Sequence, residues 1–211
     1  MLMKSTTLLA TFLLLLALQL GSKAETTHSM VVYGDSLSAA YGIDEEQGWV
    51  ALLANAVSDS YSVYNASISG ETSAGGLARL NLTLEELEPD LLILELGAND
   101  GLRGASTSSL KQNLQAMIHE VKERDIQLVL VGISAPPNYG PRYIDQFRSV
   151  YTDLAKDNDL PFIDFYREEF FLKEGFIQND GLHPTAIAQP IIKDLMLEFL
   201  QSQKFVQAPV D

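Results

Sequence analysis

Two short motifs near opposite ends of the chain carry the residue types of a serine hydrolase. Residues 34–37 read Gly-Asp-Ser-Leu and follow an apolar run, so that Ser36 lies where a strand ends and the chain must turn. Residues 180–184 read Asp-Gly-Leu-His-Pro and supply a carboxylate and an imidazole three residues apart. A serine hydroxyl needs a base to take its proton, and a neutral imidazole suits that role near neutral pH. The pattern predicts Ser36 as nucleophile, His183 as general base and Asp180 as the carboxylate that orients the imidazole.

The other histidines of the chain give no support for a metal site. His28, near the N-terminus, and His119, in a polar stretch with helical spacing, are interpreted as surface residues. A catalytic zinc ion needs three or four clustered ligands, and no second histidine is placed to assist His183. We therefore expect neither a metal nor a cofactor. The competing interpretation of Asp180 and His183 is a structural pair, and Asp35 is expected to cap the turn or helix that begins beside it.

Attack on an acyl carbonyl creates an oxyanion, which the site must meet with hydrogen-bond donors. Gly70 has no side chain, so its backbone N–H could approach a substrate, and the side-chain amide of Asn99 could donate as well. Each residue by itself is also typical of a plain turn. Residues 70–76 have the outer glycines of a phosphate-binding loop, but Gly76 stands where that motif requires lysine, so nucleotide binding is not expected.

Alternating strands and helices predict how these residues meet. Buried strands are predicted at Met30–Tyr33, Tyr61–Asn65, Leu91–Leu96, Leu128–Ile133 and Pro161–Phe165. Helical spacing predicts helices at Trp49–Val57, Ala74–Leu87, Ser108–Arg124, Gln146–Asn158 and Ala186–Leu200. This alternation predicts an α/β fold with a parallel sheet covered on both faces. Ser36, Gly70, Asn99 and His183 each follow a strand, and the carboxyl ends of parallel strands share one edge, which predicts a single site.

The N-terminal segment predicts export. Residues 1–24 hold Lys4, an apolar stretch from Leu8 to Leu20 and a small-residue end, which is typical of a cleaved signal peptide, while residues 25–211 form the predicted catalytic domain. The stretch is too short for a spanning helix, so no stable membrane anchor is expected. The chain contains no cysteine, and removal of Lys4 and Lys23 changes the net charge from −14 to −16. Nucleic acid is therefore an unfavourable partner, and we expect a periplasmic or secreted bacterial protein, with a monomer favoured.

With these motifs in place, the chain resembles the SGNH (GDSL-type) hydrolases, whose Ser, Gly, Asn and His match Ser36, Gly70, Asn99 and His183. Four blocks, at 33–42, 97–104, 137–140 and 180–184, are similar to the periplasmic thioesterase I group, also described as arylesterases and lysophospholipases. The resemblance implies a three-layer α/β/α fold with a flavodoxin-like sheet of five parallel strands. It also implies that the Ser36 N–H, the Gly70 N–H and the Asn99 side chain form the oxyanion hole.

The resemblance implies, further, a loop from Asp100 to Ser109 that closes over an acyl chain. Ala40 and Ala98 replace the commoner glycines of the family, so the preferred acyl length does not carry over. The function expected from the sequence is hydrolysis of carboxylic esters and thioesters, including aryl esters, acyl thioesters and lysophospholipids, through an acyl-Ser36 intermediate. Two alternatives are a carbohydrate O-deacetylase on the same fold and a binding protein with a decayed site.

Overall fold

The sheet that carries the predicted site is built from five parallel strands. A computed structural model describes residues 28–134, 139–164 and 173–207. The strands are β1 (His28–Gly34), β2 (Tyr61–Asn65), β3 (Leu91–Glu95), β4 (Gln127–Gly132) and β5 (Phe162–Asp164), in the order β2-β1-β3-β4-β5. The register places Val32 of β1 opposite Asn65 of β2 and Ile93 of β3. This order is that of flavodoxin-like sheets, and the predicted fold class is confirmed.

Helices connect the strands across both faces of the sheet. They are α1 (Trp49–Ala56), α2 (Ser73–Leu87), α3 (Ala98–Leu102), α4 (Thr107–Glu123), α5 (Pro141–Asn158) and α6 (Gln189–Ser202), with a short 3₁₀ turn at Glu45–Gln47. The chain moves outward from β1 to β2 and then returns past β1 to β3. Because such crossovers are right-handed, α1 and α2 lie on opposite faces. Accordingly, α1 packs against α6, while α4 packs against both α2 and α5.

The apolar sequence runs form the buried centre of these layers. All five residues of β3 are buried, including the acidic Glu95 at its end. The large side chains of Trp49, Tyr33, Phe147 and Tyr151 are also fully buried among the helices and the sheet. Because a strand buried on both faces cannot alternate with polar residues, the continuous apolar run of β3 follows from its central position.

The five predicted strands and five predicted helices are all present, with ends that shift by a few residues. The largest shift is in α5, which begins at Pro141, where proline fits the first helical turn because its missing N–H has no partner there anyway. The predicted signal peptide, residues 1–24, and Phe165 of the predicted fifth strand lie outside the described residues. Within the described ranges, no helix is long and apolar enough to cross a membrane.

Candidate active site

Ser36, His183 and Asp180 form a continuous line of hydrogen bonds at the carboxyl edge of the sheet. Ser36 follows β1, and its Oγ lies 2.8 Å from His183 Nε2. On the other side of the imidazole, Nδ1 lies 2.6 Å from Asp180 Oδ2. The second oxygen, Oδ1, accepts the backbone N–H groups of Leu182 and His183 at 2.9 and 3.1 Å. The three-residue spacing therefore lets one turn hold both the carboxylate and the ring.

The pKa of the Asp180 carboxyl lies below its ordinary value. Partial burial by itself raises this pKa, but the hydrogen bonds from the His183 ring and from the Leu182 and His183 N–H groups outweigh it. Each of these donors stabilises the ionised form of the carboxyl group. An ionised Asp180 favours a proton on Nδ1 of the imidazole and leaves Nε2 able to accept one from Ser36.

Gln178 joins the segment of His183 to the segment of Ser36. Its side-chain Nε2 donates to the carbonyl oxygens of Tyr41, at 2.8 Å, and Pro184, at 3.0 Å. Its backbone N–H donates to the carbonyl oxygen of His183 at 2.8 Å. The bond to Tyr41 joins the two segments, and the bonds to Pro184 and His183 close the turn that carries the imidazole. The sequence analysis missed Gln178, because an isolated glutamine carries no pattern that indicates such a role.

Tyr41 covers one face of the imidazole. The ring centroids of Tyr41 and His183 are 4.4 Å apart, and the ring planes are inclined by 36°. Half of the Tyr41 side chain remains exposed, so its free portion borders the site. An aromatic face at this distance attracts a cation, and so favours the imidazolium form that a base acquires during catalysis.

Gly70 and Asn99 lie on the segments that follow β2 and β3. Gly70 has φ of +82°, a conformation that side chains disfavour, and the space where a Cβ would stand is open. Asn99 lies in the first turn of α3, where a plain turn was the alternative interpretation. Its Nδ2 donates to Asp35 Oδ2 at 3.2 Å and to the carbonyl oxygen of Glu71 at 2.9 Å. The amide therefore bridges the segments that carry Ser36 and Gly70.

The short helix α3 depends on glycine just before it. Gly97 has φ of +130°, and any Cβ there would collide with the hydroxyl of the buried Tyr151. That hydroxyl donates to the carbonyl oxygen of Leu96 at 3.0 Å, which fixes the end of β3 against α5. The turn that aims Asn99 at Asp35 is thus set by the fit between Gly97 and Tyr151.

The segment that carries Gly70 is fixed at its far end by buried polar groups. Glu71 accepts a hydrogen bond of 2.8 Å from Nε of Arg79 on α2. Asp100 on α3 accepts the N–H of Ser73 at 2.8 Å and its hydroxyl at 2.6 Å. Because an anionic carboxylate is favourable at a helix N-terminus, Asp100 also stabilises the start of α2. Asp100, next to Asn99, and Glu71, next to Gly70, are therefore both bonded to residues of α2.

Asp35 is fully buried and touches both the Ser36 segment and Asn99. Its Oδ1 accepts the N–H of Leu37 at 3.1 Å, which is the local capping role predicted from the sequence. The bond from Asn99 to Oδ2 adds a contact across the site that the sequence analysis did not predict. Burial raises the pKa of Asp35 from 3.8 to about 7, against the lowering effect of these donors and of the Ala98 N–H.

A second buried carboxyl group, that of Glu95, lies beneath the Ser36 segment. Its Oε2 lies 2.7 Å from the Ser38 hydroxyl and 3.4 Å from the Asp35 backbone nitrogen. Burial, and then the charge of Asp35, raises the pKa of Glu95 well above its ordinary value. The sequence analysis treated Glu95 as part of an apolar strand and assigned it no role.

Several exposed apolar side chains lie on the segments that carry the site residues. We call this set the apolar rim, and it consists of Tyr41, Ile68, Leu102, Tyr139 and Ile187. Tyr139 is tied to Leu102, because its hydroxyl donates to the Leu102 carbonyl oxygen at 2.8 Å. Ile187 is 70% exposed four residues after His183. Exposed apolar side chains on these segments can bury part of an apolar ligand.

The remaining histidines lie away from these residues. His28 and His119 are exposed and pair with Asp90 and Glu123, at 3.4 and 3.2 Å. In the part of the chain that the structure describes, no three His, Cys, Asp or Glu side chains are grouped so that they could hold a metal ion.

Ala40, one of the two departures from the family pattern, has a left-handed backbone. Its φ is +55°, a conformation that glycine adopts more easily than alanine. Ala98, the other departure, is the first residue of α3. Alanine favours a helix there more than glycine does, so the methyl group beside Asn99 stiffens this turn.

Comparisons with known proteins identify the family of the chain. The GDSL-like Lipase/Acylhydrolase family matches residues 32–189. Esterase TesA of Pseudomonas aeruginosa is 47% identical over 178 residues, which cover 83% of this chain and 89% of that protein. Thioesterase 1/protease 1/lysophospholipase L1 of Escherichia coli is 42% identical over 179 residues, covering 85% and 86%. The crystal structure of the psychrotrophic esterase EstA from Pseudoalteromonas sp., inhibited by monoethylphosphonate, has a TM-score of 0.80 and 40% identity over 84% of this chain and 99% of that one.

Proposed function

Because the chain belongs to the GDSL-like lipase and acylhydrolase family, we propose that it is a serine esterase that hydrolyses carboxylic esters and thioesters through an acyl-Ser36 intermediate. The observation that carries the proposal is the unbroken line of hydrogen bonds from Ser36 Oγ through the imidazole of His183 to the Asp180 carboxylate. This arrangement supplies a nucleophile, a base and an orienting anion without a cofactor.

In the first half of the reaction, Ser36 Oγ attacks the acyl carbonyl carbon as its proton passes to His183 Nε2. The imidazolium that forms is stabilised by the Asp180 carboxylate, which stays ionised, and by the ring of Tyr41. As the tetrahedral intermediate collapses, the bond from the acyl carbon to the alcohol oxygen or thiol sulfur breaks. The leaving group then takes the proton from Nε2, and Ser36 remains acylated.

The developing oxyanion is stabilised by the N–H groups of Ser36 and Gly70 and by the Asn99 amide. In the free enzyme, one amide hydrogen of Asn99 is bonded to Asp35 and the other to the Glu71 carbonyl oxygen. An oxyanion is a stronger acceptor than a neutral carbonyl, so it competes effectively for the second hydrogen. The bond to Asp35 keeps the amide oriented during this exchange.

Deacylation repeats the same steps with water. His183 Nε2 takes a proton from the water molecule as its oxygen attacks the acyl carbon. The tetrahedral intermediate then expels Ser36 Oγ, which regains its proton from the imidazolium. The acid is released and the enzyme returns to its starting state.

The apolar rim favours substrates with an acyl or aryl group larger than acetyl. Acyl chains and aryl rings can bury surface against Ile68, Leu102 and Ile187, whereas an acetylated sugar presents mainly hydroxyl groups. Aryl esters, acyl thioesters and lysophospholipids fit this description. The carbohydrate O-deacetylase considered from the sequence has no comparable support from the rim, and a binding protein would not need the hydrogen-bonded Ser36 and His183.

The proposed setting is the bacterial periplasm or the extracellular medium, after removal of residues 1–24. The support is the pattern of the first 24 residues and the lack of cysteine, which makes folding independent of the redox state of the compartment. We propose a monomer without a membrane anchor.

Hydrolysis of p-nitrophenyl esters from acetate to palmitate by the mature protein tests the proposal. Ser36→Ala should lower kcat on the order of 10⁶-fold, as in other triad enzymes. Ser149→Ala, an exposed serine on α5, is the matched control and should keep full activity. A phosphonate ester should label the wild type and not Ser36→Ala. Turnover by Ser36→Ala would refute the acyl-serine mechanism, and activity limited to acetyl esters would favour the deacetylase.

A further inference from the structure

Glu95 is a buried ionisable residue that the proposed mechanism does not use. It ends the central strand β3, directly opposite Gly34 at the end of β1, and it is 1% exposed. Its side chain turns beneath the neighbouring strand towards the segment of Ser36. Because burial of a carboxyl group is costly unless it is compensated, its presence in the centre of the sheet requires an explanation.

Glu95 contacts one residue before Ser36 and one residue after it in the chain. Oε2 lies within hydrogen-bonding range of the backbone nitrogen of Asp35, one residue before Ser36, and of the hydroxyl of Ser38, two residues after it. Gly34 leaves the room for this carboxyl group, since a Cβ at Gly34 would lie 2.5 Å from Oε2. The glycine, the aspartate and the second serine of this turn are therefore all adapted to Glu95.

The hydrogen-bonding partners indicate which of the two carboxyl groups carries the proton. Asp35 accepts from the Leu37 N–H and from the Asn99 amide, groups that can only donate, so both of its oxygens act as acceptors. At Glu95, by contrast, only Oε2 has donors among the described residues, the Ser38 hydroxyl at 2.7 Å and the Asp35 N–H at 3.4 Å. No described residue donates to Oε1 of Glu95. Leaving this oxygen unpaired costs less in a neutral acid than in a carboxylate.

We propose that Glu95 is a positioning residue of the hydrolase site, which acts in its protonated form. It fixes the turn that carries Ser36 through Asp35 and Ser38, and it leaves the single negative charge of the pair on Asp35, where that charge orients Asn99. A second charge on Glu95 would repel Asp35 in a low-dielectric interior. The inference rests on the proposed function, since it assumes that Ser36 and Asn99 act on the substrate.

The electrostatic surroundings are consistent with one proton on the pair. The other ionisable groups that act on it are Asp100, whose charge raises the pKa of Asp35, and the buried Tyr151, whose own pKa is raised by burial and by Asp100, Glu95 and Asp35. No cation appears among these influences. Burial raises the pKa of both groups, and the charge of Asp35 raises the pKa of Glu95 further, so Asp35 is the group of the pair that ionises first.

Infrared spectroscopy tests the protonation state without reference to activity. At pH 8.5, the difference spectrum between the wild type and Glu95→Gln should contain the carbonyl stretching band of a protonated carboxylic acid, with a shift in D₂O. Absence of the band would overturn the proposal, because Glu95 would then be ionised. The result does not depend on Ser36, so it stays informative even if Ser36→Ala refutes the proposed function.

Steady-state kinetics test the positioning role. Glu95→Gln keeps the shape and both accepted hydrogen bonds, so kcat should stay within about threefold of the wild type, whereas Glu95→Ala should lower kcat about 10- to 100-fold with KM within about threefold. Met196→Ala, a buried substitution on α6, serves as the control for lost stability. The proposal is overturned if Glu95→Ala has the wild-type kcat, if Glu95→Gln is as impaired as Glu95→Ala, or if Met196→Ala shows the same loss of kcat.

Discussion

Asp180 and the pair formed by Asp35 and Glu95 act on two halves of the same site in opposite surroundings. Asp180 lies at the rim, 35% of its side chain is exposed, and hydrogen bonds lower its pKa. Asp35 and Glu95 lie beneath the site, and burial raises both pKa values. The rim carboxylate is ionised near neutral pH and, in the proposed mechanism, orients the base. The buried pair holds one proton and orients the nucleophile turn and Asn99.

This difference shows how a carboxyl group can be used for its charge or for its shape. Asp180 must be an anion, because only an anion stabilises the imidazolium of His183. Glu95 is useful as a neutral acid of a certain length, because its contacts, and not a charge, fix the turn. Substitution of the acid by its amide should therefore lower kcat strongly at Asp180 and only slightly at Glu95.

The largest loss of kcat is expected at Asp180. Asp180→Asn should lower kcat on the order of 10⁴-fold, because the amide can donate to Nδ1 and so stabilise the wrong tautomer of the imidazole. The measurement is kcat for p-nitrophenyl butyrate at pH 8. Asp153→Asn, an exposed aspartate on α5, should leave kcat unchanged. A loss of less than tenfold in Asp180→Asn would mean that Asp180 does not orient the base.

Asn99 is the point where the buried pair meets the substrate, and its loss should have an intermediate effect. Asn99→Ala should lower kcat roughly 10²- to 10³-fold, because one oxyanion donor is lost while the triad remains. Asn55→Ala, at an exposed position on α1, is the matched control. A near-wild-type rate for Asn99→Ala would remove this residue from the oxyanion hole, and with it the reason for a charge on Asp35.

The two regions should also give opposite dependences of stability on pH. The folded-state pKa values of Asp35 and Glu95 are raised, so their contribution is complete below the unfolded-state values and is lost as pH rises through the folded-state values, that of Asp35 being about 7. The pKa of Asp180 is lowered, so its contribution is present above the unfolded-state value and is lost as pH falls through the folded-state value.

Denaturant unfolding from pH 4 to 10 measures these dependences. Above roughly pH 5, which exceeds the ordinary pKa of glutamate, the free energy of unfolding should fall less steeply with pH in Glu95→Gln than in the wild type. The reason is that the variant lacks a group that is protonated in the folded state and ionised in the unfolded state. Parallel curves over this range would show that Glu95 does not change its protonation on unfolding.

The smallest effect is expected from the aromatic ring at the rim. Tyr41→Leu should lower kcat about two- to fivefold, because the leucine lacks the aromatic face that attracts the imidazolium formed during the reaction. Tyr41→Phe should keep the wild-type kcat. Tyr64→Leu, an exposed tyrosine on β2, is the control. An unchanged kcat in Tyr41→Leu would limit Tyr41 to packing.

The fold was predictable because each strand is a short apolar run between turn residues, and this pattern does not depend on distant parts of the chain. The approach of Ser36, Gly70, Asn99 and His183 was predictable for a related reason, since topology alone brings the ends of parallel strands together. The contact of Asp35 with Asn99 was not predictable, because it spans 64 residues and depends on the exact turn at Gly97.

Gln178 and Glu95 could not be found from the sequence for different physical reasons. The two side-chain hydrogen bonds of Gln178 exist only after the turns at Tyr41 and Pro184 have formed. Glu95 follows an uninterrupted apolar run, and nothing in that run reveals whether its carboxyl group points to solvent or beneath a neighbouring strand. The missing side chain of Gly34 is the corresponding signal, but it can be interpreted only once the register of β1 and β3 is known.

The distance along the chain between Ser36 and His183 determines when the site is completed during folding. The two residues are 147 positions apart, and the base lies between the short edge strand β5 and the last helix. A chain that has folded only as far as β4 already presents the serine, yet it has no base. Hydrolytic activity therefore arises only when the C-terminal segment has docked. Recovery of esterase activity during refolding should accordingly report this final docking step, while fluorescence from the buried Trp49 on α1 follows the assembly of the core.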